Sequence, residues 1–336
     1  MKILQVSYSD RGSEAAESAL CLHRAFRKIG VGSVLLTASK RTRESGVELL
    51  PGQWQRLWNR LLKRDPEECP GGLPEIVRTF HADAVILHDL SGVATVSEIG
   101  QLPGKLFRVL HDETYFPNEK EPLFRKKCEL WSKLPMTLIA PSAGMAQKAA
   151  AAPIFCGMEQ IHIPYGVDLS IYHPGEREKV RRELGFRPDV FAVLTNSAQH
   201  PAICRAIQEL KNTYGDKITF IHSTPRSPRA LVRLYQACDL LLDGTVSVNA
   251  PYHILQASAC GLPIAAFDDG GMAEVVSDGW SGRLAPVGDT GTLTGAVCEI
   301  LENAVFFRDG ACEHAAAGYA DMTIARRYCD CISSHC

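Results

Sequence analysis

Short apolar runs recur along this chain, each followed by a longer stretch whose apolar positions keep helical spacing. Ile3 to Ser7 opens the series as a strand, and Ser9-Asp10-Arg11-Gly12-Ser13 forms a polar loop behind it. Ala16, Leu20, His23, Ala25 and Phe26 then share one face of a helix that stops at Gly30. Ser33 to Thr37, Ala84 to Leu87, Lys105 to Leu110 and Thr137 to Ala140 read as further strands, with a helix over Val93 to Ile99. After about residue 165 the pattern restarts, with strands at Phe191 to Leu194, Ile218 to Ile221, Leu240 to Leu242 and Ile264 to Phe267. Such alternation predicts parallel sheets covered on both faces. Two doubly wound α/β halves follow, with ligands expected where strand carboxyl ends face an interdomain cleft.

Composition narrows the classes. The 336 residues suffice for two domains, and 46% apolar content is ordinary for a globular chain. A net charge of −2 gives no field that would gather nucleic acid, so no nucleic-acid partner is expected. Met1-Lys2 passes straight into Ile3-Leu4-Gln5-Val6, so no secretory signal is expected. No apolar run reaches the roughly 18 residues of a membrane span. The cysteines are scattered. Cys21, Cys204, Cys238, Cys260 and Cys298 sit in apolar helical patterns and read as small core hydrophobes, which fits a reducing cytoplasm. Cys329-Asp330-Cys331 with His335 and Cys336 lacks the Cys-x2-Cys pairs of structural zinc sites, so no metal is expected.

The segment from Asp243 to Val276 is the most informative. It runs from a strand through a loop and a helix to a Gly-Leu-Pro turn, then to a strand and a Gly-Gly loop opening a second helix. The segment resembles the donor-nucleotide half of retaining glycosyltransferases of family 4. Ile163-Pro164-Tyr165-Gly166-Val167-Asp168 with Tyr172-His173-Pro174 is similar to that family's linker, Tyr165 replacing Asn. Arg181-Arg182-Glu183-Leu184-Gly185 also has the usual form. The Ser9 to Gly30 loop and helix with His23-Arg24-Ala25, then Leu110-His111-Asp112, Ala140-Pro141-Ser142 and Asn249-x-Pro251 resemble the colanic-acid-type branch that builds surface polysaccharides. The resemblance implies a GT-B fold, two doubly wound Rossmann-like domains facing a central cleft. Its expected parts are residues 1–165 for the acceptor, 166–318 for the nucleotide-sugar donor, and a helix in 319–336 crossing back to the first domain.

The resemblance also implies roles. Asn249 would cap the helix that begins near Pro251, and Tyr252, His253 and Ile254 would present backbone amides to the donor diphosphate. Gln256 stands where the family has a glutamate that accepts from the ribose, and Val248 replaces the other acid of a Glu-x7-Glu pair. Asn196, Ser197 and His200 would contact the donor, but the Arg and Lys that usually neutralise the diphosphate are absent from Asn196-Ser197-Ala198-Gln199-His200, where His200 alone carries a titratable group. Arg205, Arg226 and Arg229 are the candidate replacements. Gly12, Gly270 and Gly271 would let backbone approach the donor. His111 and Asp112 are the candidate catalytic residues at a strand end, and His88-Asp89 repeats the arrangement one strand earlier.

The function implied is transfer of a sugar, with retention, from a UDP- or GDP-linked donor to a hydroxyl of a carbohydrate or lipid-linked acceptor. No cofactor beyond that co-substrate is implied. Trp54, Leu57, Trp58, Leu61 and Leu62 line one face of a segment whose other positions are Arg56, Arg60, Lys63 and Arg64. It reads as a peripheral contact with an anionic inner membrane by a cytoplasmic protein, or as a helix packed on the first domain. The lost acids leave an alternative open: a non-catalytic GT-B protein that binds a glycan or partners a transferase, or a transferase with an unusual donor.

Overall fold

The computed structural model describes residues 1–50, 72–90, 93–112, 124–196, 199–222, 227–246, 249 and 251–334, with backbone alone for 124–127. Val248, Ser197, Arg226 and the Trp54–Arg64 segment lie outside the described residues. The chain divides into two compact units, Met1–Gly166 with Asp321–Cys336, and Val167–Ala320.

The first unit holds seven parallel strands: β1 (Lys2–Ser9), β2 (Gly32–Ser39), β3 (Val47–Leu49), β4 (Ala84–Leu87), β5 (Lys105–Val109), β6 (Met136–Ala140) and β7 (Gln160–His162). Their order across the sheet is β3-β2-β1-β4-β5-β6-β7. The strand order therefore reverses between β1 and β4, where Gln5 lies level with Ile86. Helix α1 (Glu14–Lys28) buries Ala16, Ala19, Leu20, Ala25 and Phe26 and starts at Ser13, whose hydroxyl accepts from the Ala16 amide at 3.2 Å. Helices α2 (Leu73–Phe80), α3 (Val96–Ile99), α4 (Phe124–Trp131) and α5 (Ala143–Ala151) follow. The helix expected from Val93 begins only at Val96, because Thr95 and Glu98 form a reciprocal capping box that fixes its first turn.

Five parallel strands build the second unit: β8 (Phe191–Thr195), β9 (Ile218–Ile221), β10 (Leu240–Asp243), β11 (Ile264–Asp268) and β12 (Gly282–Pro286). The order β12-β11-β10-β8-β9 reverses between β8 and β10. Helices α6 (Arg177–Glu183), α7 (Pro201–Tyr214), α8 (Pro228–Ala237), α9 (Tyr252–Ala259), α10 (Gly271–Val275), α11 (Thr290–Glu302) and α12 (Ala304–Tyr319) accompany them. Ile203, Leu210, Leu240, Leu242, Phe267, Val297 and Phe307 belong to one core cluster on this sheet. Asp239, almost wholly buried, pairs with Arg177 and Arg181 and accepts from the Ala192 amide, tying the start of β10 to β8.

The last helix, α13 (Asp321–Ser334), belongs to the first unit. Asp321 pairs with Lys28 at 2.7 Å, and Tyr328 meets Phe26 edge to face at 6.2 Å. Gly166 passes so close that a Cβ there would lie 3.0 Å from the Asp321 Cα. Cys204 is exposed on α7 and is not the core hydrophobe its pattern suggested, since the buried stripe of that helix runs through Ala202, Ile203, Ala206, Ile207 and Leu210. Cys238 and Cys260 are buried, and burial pushes both thiols up to about 12.

Candidate functional site

Parallel sheets place ligands at strand carboxyl ends where the order reverses, because there adjacent loops diverge and leave a crevice. In the second unit that place is the end of β8 beside the end of β10. Asp243 closes β10 with no exposed surface. One of its oxygens accepts from His253 Nε2 at 2.8 Å and from Asn196 Nδ2 at 3.3 Å, and the other from the Thr245 amide at 2.7 Å. Burial alone would raise this carboxyl, but the His253 hydrogen bond and charge, with Thr245 behind them, hold it down at about 2. Asp243 is therefore a fixed anion at neutral pH. His253, about a quarter exposed, lies between that anion and solvent.

Sequence reading missed Asp243, although an acid straight after Leu240-Leu241-Leu242 was the signal. His253 and Asn196 fell among the expected donor residues, and the structure brings them together through it. Gln256 is 6% exposed and donates from Nε2 to the Tyr172 hydroxyl at 2.9 Å, so part of its capacity is spent inside the unit. Two expectations about α9 need correction. Asn249 does not occupy the cap of the helix, because Pro251 stands at the N-cap. The Ile254 amide is not offered to a ligand, since it donates to the Pro251 carbonyl at 3.1 Å, and the Ile254 side chain is wholly buried. Tyr252, also buried, and His253 provide the first-turn backbone.

His200 caps α7, its Nδ1 accepting from the Ala202 amide at 3.3 Å while the ring tilts against Phe267. That nitrogen is thereby occupied by the helix it caps. Arg205 turns to Thr290 Oγ1 at 3.3 Å, and Arg229 is exposed near the start of α8. Gly270 adopts φ +88° and leads into α10 with Gly271. Two acids already serve this turn, Asp268 accepting from the Gly270 amide and Asp269 from the Met272 amide. That electrostatic environment is poor for a phosphate. Among the described residues, no three His, Cys, Asp or Glu side chains converge as a metal site.

In the first unit the polar residues form a line. Tyr165 Oη lies 2.9 Å from His111 Nδ1, His111 Nε2 lies 3.0 Å from His88 Nδ1, and His88 Nε2 lies 2.9 Å from Gln5 Oε1. Gln5 Nε2 is 3.3 Å from Ser33 Oγ, which is 2.9 Å from His23 Nδ1, and His23 Nε2 is 3.0 Å from the Ser45 carbonyl. All these side chains from Tyr165 to His23 are buried. Burial, with Arg108 nearby, brings His88 down to about 3. Burial, then His88 and Arg108, hold His111 well below its ordinary value, and burial lowers His23. Asp112 is exposed beside His111. Gly12, at φ +99°, turns the chain from β1 into α1, and a Cβ there would lie 2.8 Å from Arg41 Nη1.

Comparison with known proteins adds a family-model match over part of the chain. Residues 184–303 match the model described as Glycosyl transferases group 1. The D-inositol 3-phosphate glycosyltransferase of Mycolicibacterium smegmatis is 30% identical over 187 residues, 45% of this chain and 42% of that protein. The chain thus matches under half the length of its curated relatives. HepE of Anabaena, solved in complex with UDP and glucose, superposes with a TM-score of 0.66 at 18% identity, covering 99% of this chain and 100% of the other. Sucrose-phosphate synthase from Thermosynechococcus elongatus gives 0.67 at 14% identity, covering 99% of each. These structures share the GT-B fold of two Rossmann-like domains. No helix among the described residues is long and apolar enough to cross a membrane. The family-model match thus lies within the second unit, and the solved structures show the GT-B fold for this chain.

Proposed function

We propose that the protein is a retaining, hexosyl-type glycosyltransferase of family 4, near the colanic-acid branch, acting in glycan or glycoconjugate assembly. It moves a sugar from a nucleoside diphosphate donor, UDP- or GDP-linked, to a hydroxyl of a carbohydrate or lipid-linked acceptor. The observation that carries this reading is the Asp243–His253–Asn196 cluster at the strand-order reversal, inside the segment that matches the family model. An imidazole against a buried carboxylate gains from being protonated. A protonated His253 supplies the positive charge that the sequence lacks at the usual Arg and Lys positions, and the start of α9 adds its dipole. Gln256, its amide nitrogen held by Tyr172, offers its carbonyl oxygen to a ribose hydroxyl. That HepE was solved with UDP and glucose supports a nucleotide-sugar donor.

In the reaction the bond between the sugar C1 and the diphosphate oxygen breaks. The acceptor oxygen bonds to C1 on the same face, and its proton passes to the departing diphosphate. Positioning and stabilisation of the leaving charge then carry the rate. The test is release of UDP or GDP from a panel of nucleotide hexoses, with and without glycan and lipid-linked acceptors. Acceptor-stimulated release from one donor is expected, and no release from any donor would go against the reading.

A further inference from the structure

We propose that Gln5, Ser33, His23 and His88 are positioning residues that impose one direction on the buried hydrogen-bond line ending at His111 and Tyr165. The Ser45 carbonyl at the far end can only accept, so His23 carries its proton on Nε2 and its Nδ1 must accept. The Ser33 hydroxyl therefore gives its single proton to His23 Nδ1, and its oxygen is left to accept from Gln5 Nε2. Gln5 Oε1 then accepts from His88 Nε2–H, His88 Nδ1 accepts from His111 Nε2–H, and His111 Nδ1 accepts from the Tyr165 hydroxyl. Each of the links has one donor and one acceptor, and every proton points away from Tyr165 toward Ser45.

The Gln5 amide has a second orientation. Turned over, its nitrogen faces the Ala19 carbonyl at 3.3 Å and His88 Nε2 at 2.9 Å, and its oxygen faces the His23 amide at 3.2 Å and Ser33 Oγ at 3.3 Å. That arrangement reverses His88 and His111 to Nδ1–H tautomers. It also asks the one Ser33 proton to serve both Gln5 Oε1 and His23 Nδ1, which it cannot. The Ala19 carbonyl and His23 amide, which face Gln5 Oε1 and Nε2 in the first orientation and would be gained in the second, are helix partners four residues apart and already bond each other. Ser33 is thus the residue that selects the direction.

The consequence concerns His111. Its Nε2 is spent on His88 and its Nδ1 on Tyr165, so the ring does not take the acceptor's proton and instead aims the Tyr165 hydroxyl. The role in sugar transfer rests on the function proposed above, whereas the tautomers do not. Two-bond proton–nitrogen correlation spectra of the 15N-labelled protein, assigned through single histidine substitutions, read each tautomer without any substrate. At neutral pH, His23, His88 and His111 are expected as Nε2–H tautomers, and an Nδ1–H form of His88 or His111 in the unmutated protein overturns the proposal whether or not any variant folds. Ser33→Ala removes the selecting hydroxyl, so Gln5 turns over and His88 and His111 are expected to switch to Nδ1–H. Tautomers unchanged in a folded Ser33→Ala protein also overturn it, because a merely structural serine would not reach two rings beyond Gln5.

Discussion

Asp243 and His253 show how a site is divided between two residues, one legible in sequence and one not. His253 stood out because it opens a helix after Asn249-x-Pro251. Asp243 was hidden because it ends an apolar strand, and only the sheet order reveals that this end lies at the reversal. Its carboxyl, ordinarily near 3.9, is held at about 2, so it contributes stability above the ordinary value that is lost as pH falls through about 2. The difference corresponds to about 2–3 kcal/mol. Asp243→Asn should remove stability of about that size in urea unfolding at pH 7 and weaken nucleotide binding as well. Unchanged stability would show that the ion pair does not hold the loop. Gln256 teaches the opposite lesson: its type and place suggested a ligand contact, and the structure adds the Tyr172 hydroxyl as a partner. Gln256→Leu should therefore cost stability as well as affinity, about 0.5–1.5 kcal/mol for the hydrogen bond lost to Tyr172. A stability equal to wild type would mean that this hydrogen bond contributes nothing net.

At the scale of elements, the long apolar strands and the helices with regular stripes were readable, because period and burial coincide in them. The short edge strands were not. Val47-Glu48-Leu49 and Gln160-Ile161-His162 have three residues each and form only because a neighbouring strand offers a hydrogen-bonding edge. The cap of α9 was misread for a related reason, since Asn249 has the chemistry of a cap but stands two residues before the N-cap position, Pro251. Gly310 gives an element-scale test. Replacing a glycine inside a helix with alanine ordinarily stabilises by about 1 kcal/mol. Here a Cβ would lie 2.1 Å from the Trp280 carbonyl oxygen, so α12 would have to move off the loop it packs against. Gly310→Ala is expected to destabilise by about 1–3 kcal/mol, the usual range for an overfilled contact. A rise in melting temperature would show that the loop gives way freely.

For the whole molecule, the restart of alternation after about residue 165 made two Rossmann-like units legible, while the line of histidines across β1, β4 and β5 was not. His88 and His111 stood out at successive strand ends, but only Gln5, a polar residue inside the apolar Ile3-Leu4-Gln5-Val6, hinted that they join one line. That line predicts a pH response. Histidines whose folded pKa is lowered bind fewer protons than in the unfolded chain, so stability falls as pH drops below about 6.5. His88 continues to contribute down to about 3. The slope approaches about 1.4 kcal/mol per pH unit for each histidine kept neutral. Urea midpoints should therefore fall between pH 7 and pH 5, and His88→Gln should reduce the dependence. A flat profile would mean that these rings are protonated in the native state. The central claim is that the Asp243–His253 cluster holds a nucleoside diphosphate, and calorimetric titration of UDP and GDP into wild type and His253→Gln at pH 7 tests it most directly. One of the two nucleotides is expected to bind wild type, with affinity lowered at least tenfold in the variant, a difference of about 1.4 kcal/mol or more. Equal affinity in the two proteins, or no binding of either nucleotide to wild type, would contradict the account.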